Sequence, residues 1–120
     1  VHALAHALGG MFDTMHGLVH PVLLPHVLRF NLPSCIEKMS HIGEIFIGRV
    51  GTPYETALAG IEAIEEFFDI FNVNRRLREI VKDSPKLESL CKMAHNDACL
   101  LTNPREATWE DLLAICREAW

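Results

Sequence analysis

The sequence has no pair of cysteines at C-x-x-C spacing. Its four cysteines, Cys35, Cys91, Cys99 and Cys116, are scattered, which argues against a closed zinc site built from thiolates. Reduced thiols in a cytoplasmic protein are the economical expectation. The chain shows no signal-peptide pattern and no apolar run long enough to cross a bilayer, so no membrane partner is expected. Basic residues are in the minority: 11 Lys and Arg face 16 Asp and Glu, for a net charge of −5. Without a basic stripe, nucleic acid is not an expected partner. Arg75-Arg76 and Arg78 form one small basic cluster, better read as a solvated helix end than as a phosphate site. Strand-like alternation, internal repeats and low-complexity tracts are missing too.

What remains is apolar and helical. Hydrophobic residues make up 49% of 120 residues, enough for one domain over residues 1–120 with a real core. The chain opens on Val1, one residue before a histidine, and reads as cut from something longer. Residues 1–8 predict a short apolar helix that Gly9-Gly10 would end, followed by a loop over residues 11–15. Residues 19–30 predict a second helix, with Pro21 near its first turn and Pro25 bending it. Asn31-Leu32-Pro33 predicts a break, and Ser34 an N-cap for a helix to about residue 47. Thr52-Pro53-Tyr54-Glu55 is a capping box with proline at the first helical position. After it, Tyr54, Ala57, Leu58, Ile61, Ile64, Phe67, Phe68 and Phe71 recur at three- and four-residue steps, a stripe that reads as core packing. A short helix is expected at residues 75–81, and another from Ser84-Pro85 to about residue 100. Residues 102–107 read as a loop, and Thr108-Trp109-Glu110-Asp111 caps a last helix to about residue 119. The fold class is all-α.

Chemistry concentrates in HALAHALGGMFDTMH, residues 2–16. His2 and His6 are four apart, so on a helix they project from one face. Neutral imidazole is a common ligand for borderline divalent ions. His16 follows the double glycine and can return to that face. Spacing alone leaves the site open, because a catalytic ion takes about three protein ligands. The nearest carboxylate, Asp13, reads better as a turn cap. His26 reads as a hydrogen-bonded packing residue, while His41 and His95 have no partner at metal spacing. Cys99, beside Asp97, reads as a small buried residue.

Two stretches then carry a resemblance. HALAHALGGMFDTMHGLVHPVLLPHVLRFN (2–31) resembles the metal-binding motif of the iron-containing (group III) alcohol dehydrogenases, and DACLLTNPREATWEDLLAICREAW (97–120) resembles that family's closing segment. The resemblance implies a multi-helix C-terminal domain of the dehydroquinate synthase-like fold, here without the N-terminal α/β dinucleotide-binding domain. It implies that His2 and His16 are metal ligands, with further ligands, an aspartate and a histidine, supplied from upstream. His6 matches a histidine near metal and nicotinamide, with a proton-relay or orienting role. Fe2+ or Zn2+ and NAD(P) are the implied cofactors of the intact enzyme, and an alcohol or aldehyde its substrate. Departures are Ala7 and Met15, where the family often has proline, and His20-Pro21, where it often has asparagine-alanine. His20 is therefore an extra histidine, read as satisfied by solvent or core rather than as a ligand.

The implied chemistry is hydride transfer between an alcohol carbon and the nicotinamide, with the substrate oxygen polarised by the ion. Phe12, Met15 and Phe30 are candidates for a pocket wall, although core packing accounts for each. Asn103 and Arg105 could brace a loop near the site or simply cap it. By itself the chain is expected to lack activity and to associate with itself or with its missing domain. Two other readings stand beside this one: a maleylacetate-reductase-like or glycerol-dehydrogenase-like enzyme, and a non-enzymatic helical module that binds a metal or a partner.

Overall fold

The computed structural model describes residues 1–73, 76–81 and 86–120. The expected cluster residue Arg75 and the helix start at Ser84-Pro85 lie outside the described residues. The remainder is helical, with no strand among the described residues: α1 His2–Phe12, α2 His16–Ile47, α3 Pro53–Ile70, α4 Leu77–Ile80, α5 Leu87–His95, a 3-10 turn Ala98–Thr102, and α6 Trp109–Glu118. None of these helices is long and apolar enough to cross a membrane.

Gly9 and Gly10 do not end α1. The helix runs through them to Phe12, and Asp13 takes the left-handed cap at φ 51°, its N–H donating to the Gly9 carbonyl at 3.0 Å. Aspartate tolerates this conformation better than most side chains, so the loop shrinks to residues 13–15.

The break expected at Asn31-Leu32-Pro33 is a kink inside one long helix. A straight helix of 32 residues would run about 48 Å, more than the 41 Å of the molecule's longest dimension. The bend falls at Cys35 (φ −147°, ψ 32°), two residues beyond Pro33. Pro33 has no N–H for the carbonyl four residues back, and the Cys35 thiol donates to the Asn31 carbonyl at 3.2 Å. The backbone resumes helical geometry without needing Ser34 as a cap.

The kink divides the core. N-terminal to it, Val19, Val22, Leu23 and Val27 pack with Leu4 and Leu8 of α1, Leu90 and Cys91 of α5, and Ile115 and Cys116 of α6. Around and beyond it, Leu32 and Met39 pack with Ala57 and Ile61 of α3 in a second, smaller cluster. Residues 48–52 reverse the chain between α2 and α3, with Gly48 and Gly51 at φ 76° and 62°. The capping box forms as expected: the Thr52 hydroxyl accepts from Glu55 N–H at 3.2 Å, and the Glu55 carboxylate accepts from Thr52 N–H at 2.7 Å. The buried Thr56 hydroxyl donates to the Val50 carbonyl and accepts from its N–H, so it is fully satisfied.

Backbone meets backbone where α2 and α3 cross. A Cβ on Gly60 would sit 2.5 Å from the Gly43 Cα, and one on Gly43 would sit 2.3 Å from the Thr56 carbonyl oxygen. The apolar stripe of α3 is buried in its middle, at Ala57, Ile61 and Ile64, and exposed at Tyr54 and towards its end. Phe67 and Phe71 meet edge to face at 5.0 Å but stay 48% and 60% exposed, because the second core cluster ends at Ile61. Arg29 of α2 instead reaches Glu65 of α3 with both terminal guanidinium nitrogens.

At the other end, α6 begins with the expected box between Thr108 and Asp111. The helix expected to run to about residue 100 stops at His95, because Asp97 accepts from the Cys99 N–H at 2.8 Å and starts a new turn. Leu77 at the start of α4 donates its N–H to the Ala119 carbonyl at 2.8 Å, which fastens that short helix to the end of α6.

Two measurements check this packing. Gly60→Ala, which on an open helix would stabilise by about 1 kcal/mol, is expected to cost about 2 kcal/mol in urea unfolding because backbone cannot yield; a gain in stability would refute the close crossing. The Arg29 hydrogen bonds hold the Glu65 carboxyl below its ordinary range. Its contribution, about 1 kcal/mol for a part-exposed pair, is therefore fully present above the unfolded pKa of about 4.3. That contribution disappears as pH falls through the depressed folded value, and Glu65→Gln should flatten the pH profile there.

Candidate functional site

The short link over residues 13–15 lays the first turns of α2 beside α1. His2 and His6 occupy the exposed edge of α1, whose other face buries Ala3, Leu4, Ala5, Ala7 and Leu8. His16 is the first residue of α2, and His20 lies one turn on. Four imidazoles meet across the two helices. Ring centroids are 5.6 Å apart for His2 and His16, 5.5 Å for His6 and His16, and 6.1 Å for His2 and His6. His20 is closer still, at 4.9 Å from His2 and 4.4 Å from His16.

The donor chemistry suits a borderline divalent ion. One nitrogen each from His2, His16 and His20 lie within 4.8 Å of one another. Loss of water, followed by the charges of His20, His6 and His2, lowers the His16 pKa and favours the neutral, ligating form. His20 Nδ1 lies 2.8 Å from the His16 carbonyl oxygen. A carbonyl only accepts, so Nδ1 carries the proton, and in the neutral ring the lone pair is on Nε2.

His6 has a different neighbour. Its Nδ1 lies 2.8 Å from Asp97 Oδ2, while Asp97 Oδ1 accepts the Cys99 N–H at 2.8 Å. The Cys99 amide first and the His6 ring second hold the Asp97 carboxyl below its usual range. The ionised carboxylate accepts from Nδ1–H, so in the neutral ring the lone pair of His6 is on Nε2. His6 and Asp97 also line an open pocket of about 220 Å³ with Ala7, Gly10 and Met93.

The closing segment braces this arrangement. Asn103 and Asn31 exchange amide hydrogen bonds at 2.8 and 3.0 Å. Arg105 donates to the Phe30 carbonyl at 2.7 Å and lies 4.1 Å over the Phe30 ring. The brace grips α2 from the side, so Asn103 and Arg105 do more than cap their own loop.

Some expected residues fall elsewhere. Phe12 and Phe30 pack on the main core, while Met15 is 71% exposed. Cys99 is exposed rather than buried, because the 3-10 turn carries it to the surface. His26 pairs loosely with Glu118 at 3.8 Å, whereas His41 and His95 are exposed and belong to neither group of side chains that could hold a metal among the described residues. Asp97 was missed because its partner is 91 residues away. His20 had a visible signal in its four-residue step from His16, the same step that marked His2 and His6.

Comparison with known proteins bears on the family and the fold. The family model described as "Fe-containing alcohol dehydrogenase family, C-terminal" matches residues 1–120. Alcohol dehydrogenase 4 of Saccharomyces cerevisiae is 38% identical over 120 residues, covering 100% of this chain and 31% of that protein. Lactaldehyde reductase of Escherichia coli is 34% identical over 122 residues, covering 100% of this chain and 32% of that one. A crystal structure of 1,3-propanediol oxidoreductase superposes with TM-score 0.94 at 32% identity, over 99% of this chain and 32% of that one. The chain thus spans about a third of the length of these relatives. On its full-length match and its all-helical fold, the chain belongs to the Fe-containing alcohol dehydrogenase family.

Proposed function

We propose that this chain supplies the helical side of the active site of a metal-dependent, NAD(P)-linked alcohol dehydrogenase. The observation that carries the reading is the convergence of His2, His6 and His16 from two helices, with ring centroids 5.5 to 6.1 Å apart. His2 and His16 hold Fe2+ or Zn2+ through neutral nitrogens, as imidazole does for both ions. When bound, the ion supplies Lewis-acid polarisation of the substrate oxygen.

His6 handles the proton. Asp97 keeps Nδ1 protonated and fixes the ring, so Nε2 takes the proton lost from the hydroxyl as the alcohol is oxidised. In carbonyl reduction the same nitrogen returns it. When bound, the nicotinamide would supply the hydride acceptor or donor that completes the two-electron balance. The sequence offers no Gly-rich phosphate turn, so the nucleotide's phosphates are assigned to a domain outside this stretch, with which the chain associates. Relatives named for lactaldehyde and 1,3-propanediol point to small alcohols and aldehydes as the substrate class.

Variants of the full-length holoenzyme separate the roles. His2→Ala and His16→Ala are expected to lose bound metal, measured by elemental analysis. His6→Ala should keep its metal and lose about 10²- to 10⁴-fold in kcat. Unchanged stoichiometry in both ligand variants would overturn the metal assignment, and an unimpaired His6→Ala would overturn the proton role.

A further inference from the structure

Cys99 is the exposed one of the four cysteines, and the chemistry proposed above gives its thiol no part. Its position is set from two sides. Asp97 Oδ1 accepts the Cys99 N–H at 2.8 Å, which winds the start of the 3-10 turn around the carboxylate. Asp97 Oδ2 in turn lies 2.8 Å from Nδ1 of His6, which arrives on α1. One ring nitrogen of His6, one carboxylate oxygen of Asp97 and the Cys99 sulfur all lie within 4.8 Å of one another. None of the three belongs to the His2 and His16 pair assigned to the catalytic ion.

These are three donors of different kinds, and together they suit one class of ion. Around tetrahedral Zn2+, with bonds of about 2.1 Å to nitrogen or oxygen and about 2.3 Å to sulfur, donors stand about 3.4 to 3.6 Å apart. The His6–Asp97 contact is already tighter than that, held by a proton whose place a cation can take. The sulfur side closes by rotation of an exposed side chain. Thiolate and carboxylate balance the double charge of the ion, and imidazole adds a neutral donor. The open pocket lined by His6, Gly10, Met93 and Asp97 gives the ion a way in. Thiolate selects soft and borderline ions over hard ones, whereas the ligand set implied for the catalytic ion, histidines and an aspartate, contains no sulfur.

We propose that His6, Asp97 and Cys99 form a second, inhibitory site for Zn2+ and other thiophilic divalent ions, separate from the catalytic one. As the metal–sulfur bond forms, Cys99 gives its thiol proton to solvent. Asp97 exchanges its hydrogen bond to the ring for a bond to the ion. The single proton of neutral His6 passes from Nδ1 to Nε2 through water, which frees Nδ1 to bind. Nε2, the nitrogen that must take the proton of the alcohol, is then already protonated. The inhibition therefore rests on the proton role proposed for His6, whereas the binding does not.

The test reads sulfur. Titration of the full chain with Cd2+ should give the ultraviolet charge-transfer band of a metal–thiolate bond, at one sulfur per ion. Cys99→Ser, which keeps the N–H of the turn, should lose the band, while Cys35→Ser keeps it; circular dichroism checks that each variant folds. A band that persists in Cys99→Ser would refute the assignment. The band should survive His2→Ala combined with His16→Ala, and its loss there would refute a separate site. In the full-length holoenzyme, excess Zn2+ should inhibit the parent, and Cys99→Ser should need about 10²-fold more Zn2+ for the same inhibition. Equal sensitivity of the two would remove the inhibitory role. A fully active His6→Ala holoenzyme would overturn the proton role and the inhibition with it, while a Cys99-dependent band would still establish the binding site, so the two failures are told apart.

Discussion

The arrangement of this molecule depends on one tight reversal, the left-handed Asp13 that closes α1. Its N–H satisfies the Gly9 carbonyl, so α1 ends without leaving an open turn, and only residues 13–15 separate it from α2. So short a link leaves two helices little choice but to lie with adjacent turns in register. His16 and His20 then face His2 and His6 as a geometric consequence. A longer or floppier loop would still have allowed the helices to pack, but would not have fixed which turns meet.

Everything else at this end of the fold restrains that pair of helices. The aliphatic face of α1 is sealed against α2, α5 and α6. The Asn31–Asn103 amide pair and Arg105 hold α2 from the closing segment. Asp97, at the start of the 3-10 turn, fixes the His6 ring from a third direction. The polar groups at the cluster are therefore oriented by elements whose own positions are set by packing, the condition for a preorganised site.

Helix boundaries governed by local hydrogen bonds were legible in the sequence. The boxes at Thr52 and Thr108 form between residues three apart, and both appear as read. The errors lie where distant packing decides. Gly9 and Gly10 look like a stop signal, but burial of Leu4 and Leu8 carries the helix past them. Pro33 looks like a break, but the flanking turns each have a core to join, so the chain only bends. Phe67 and Phe71 have the period of a buried stripe but lie beyond the second core cluster and stay about half exposed among the described residues. The imidazole pair on α1 was legible through its four-residue step. The Asp97 partner of His6 was not, since no local pattern links residues so far apart in sequence.

The kink at Cys35 has a dynamic consequence. It leaves two groups of buried side chains with no member in common, one holding the histidine-bearing helices and the other the α2–α3 hairpin. Cooperative opening follows shared burial. The hairpin tip can exchange its amide protons by separating α3 from the end of α2 while the first core stays closed. Amides in α1 and in the first half of α2 should therefore exchange on a slower clock than those beyond the bend, and the imidazole cluster stays assembled through excursions of the arm.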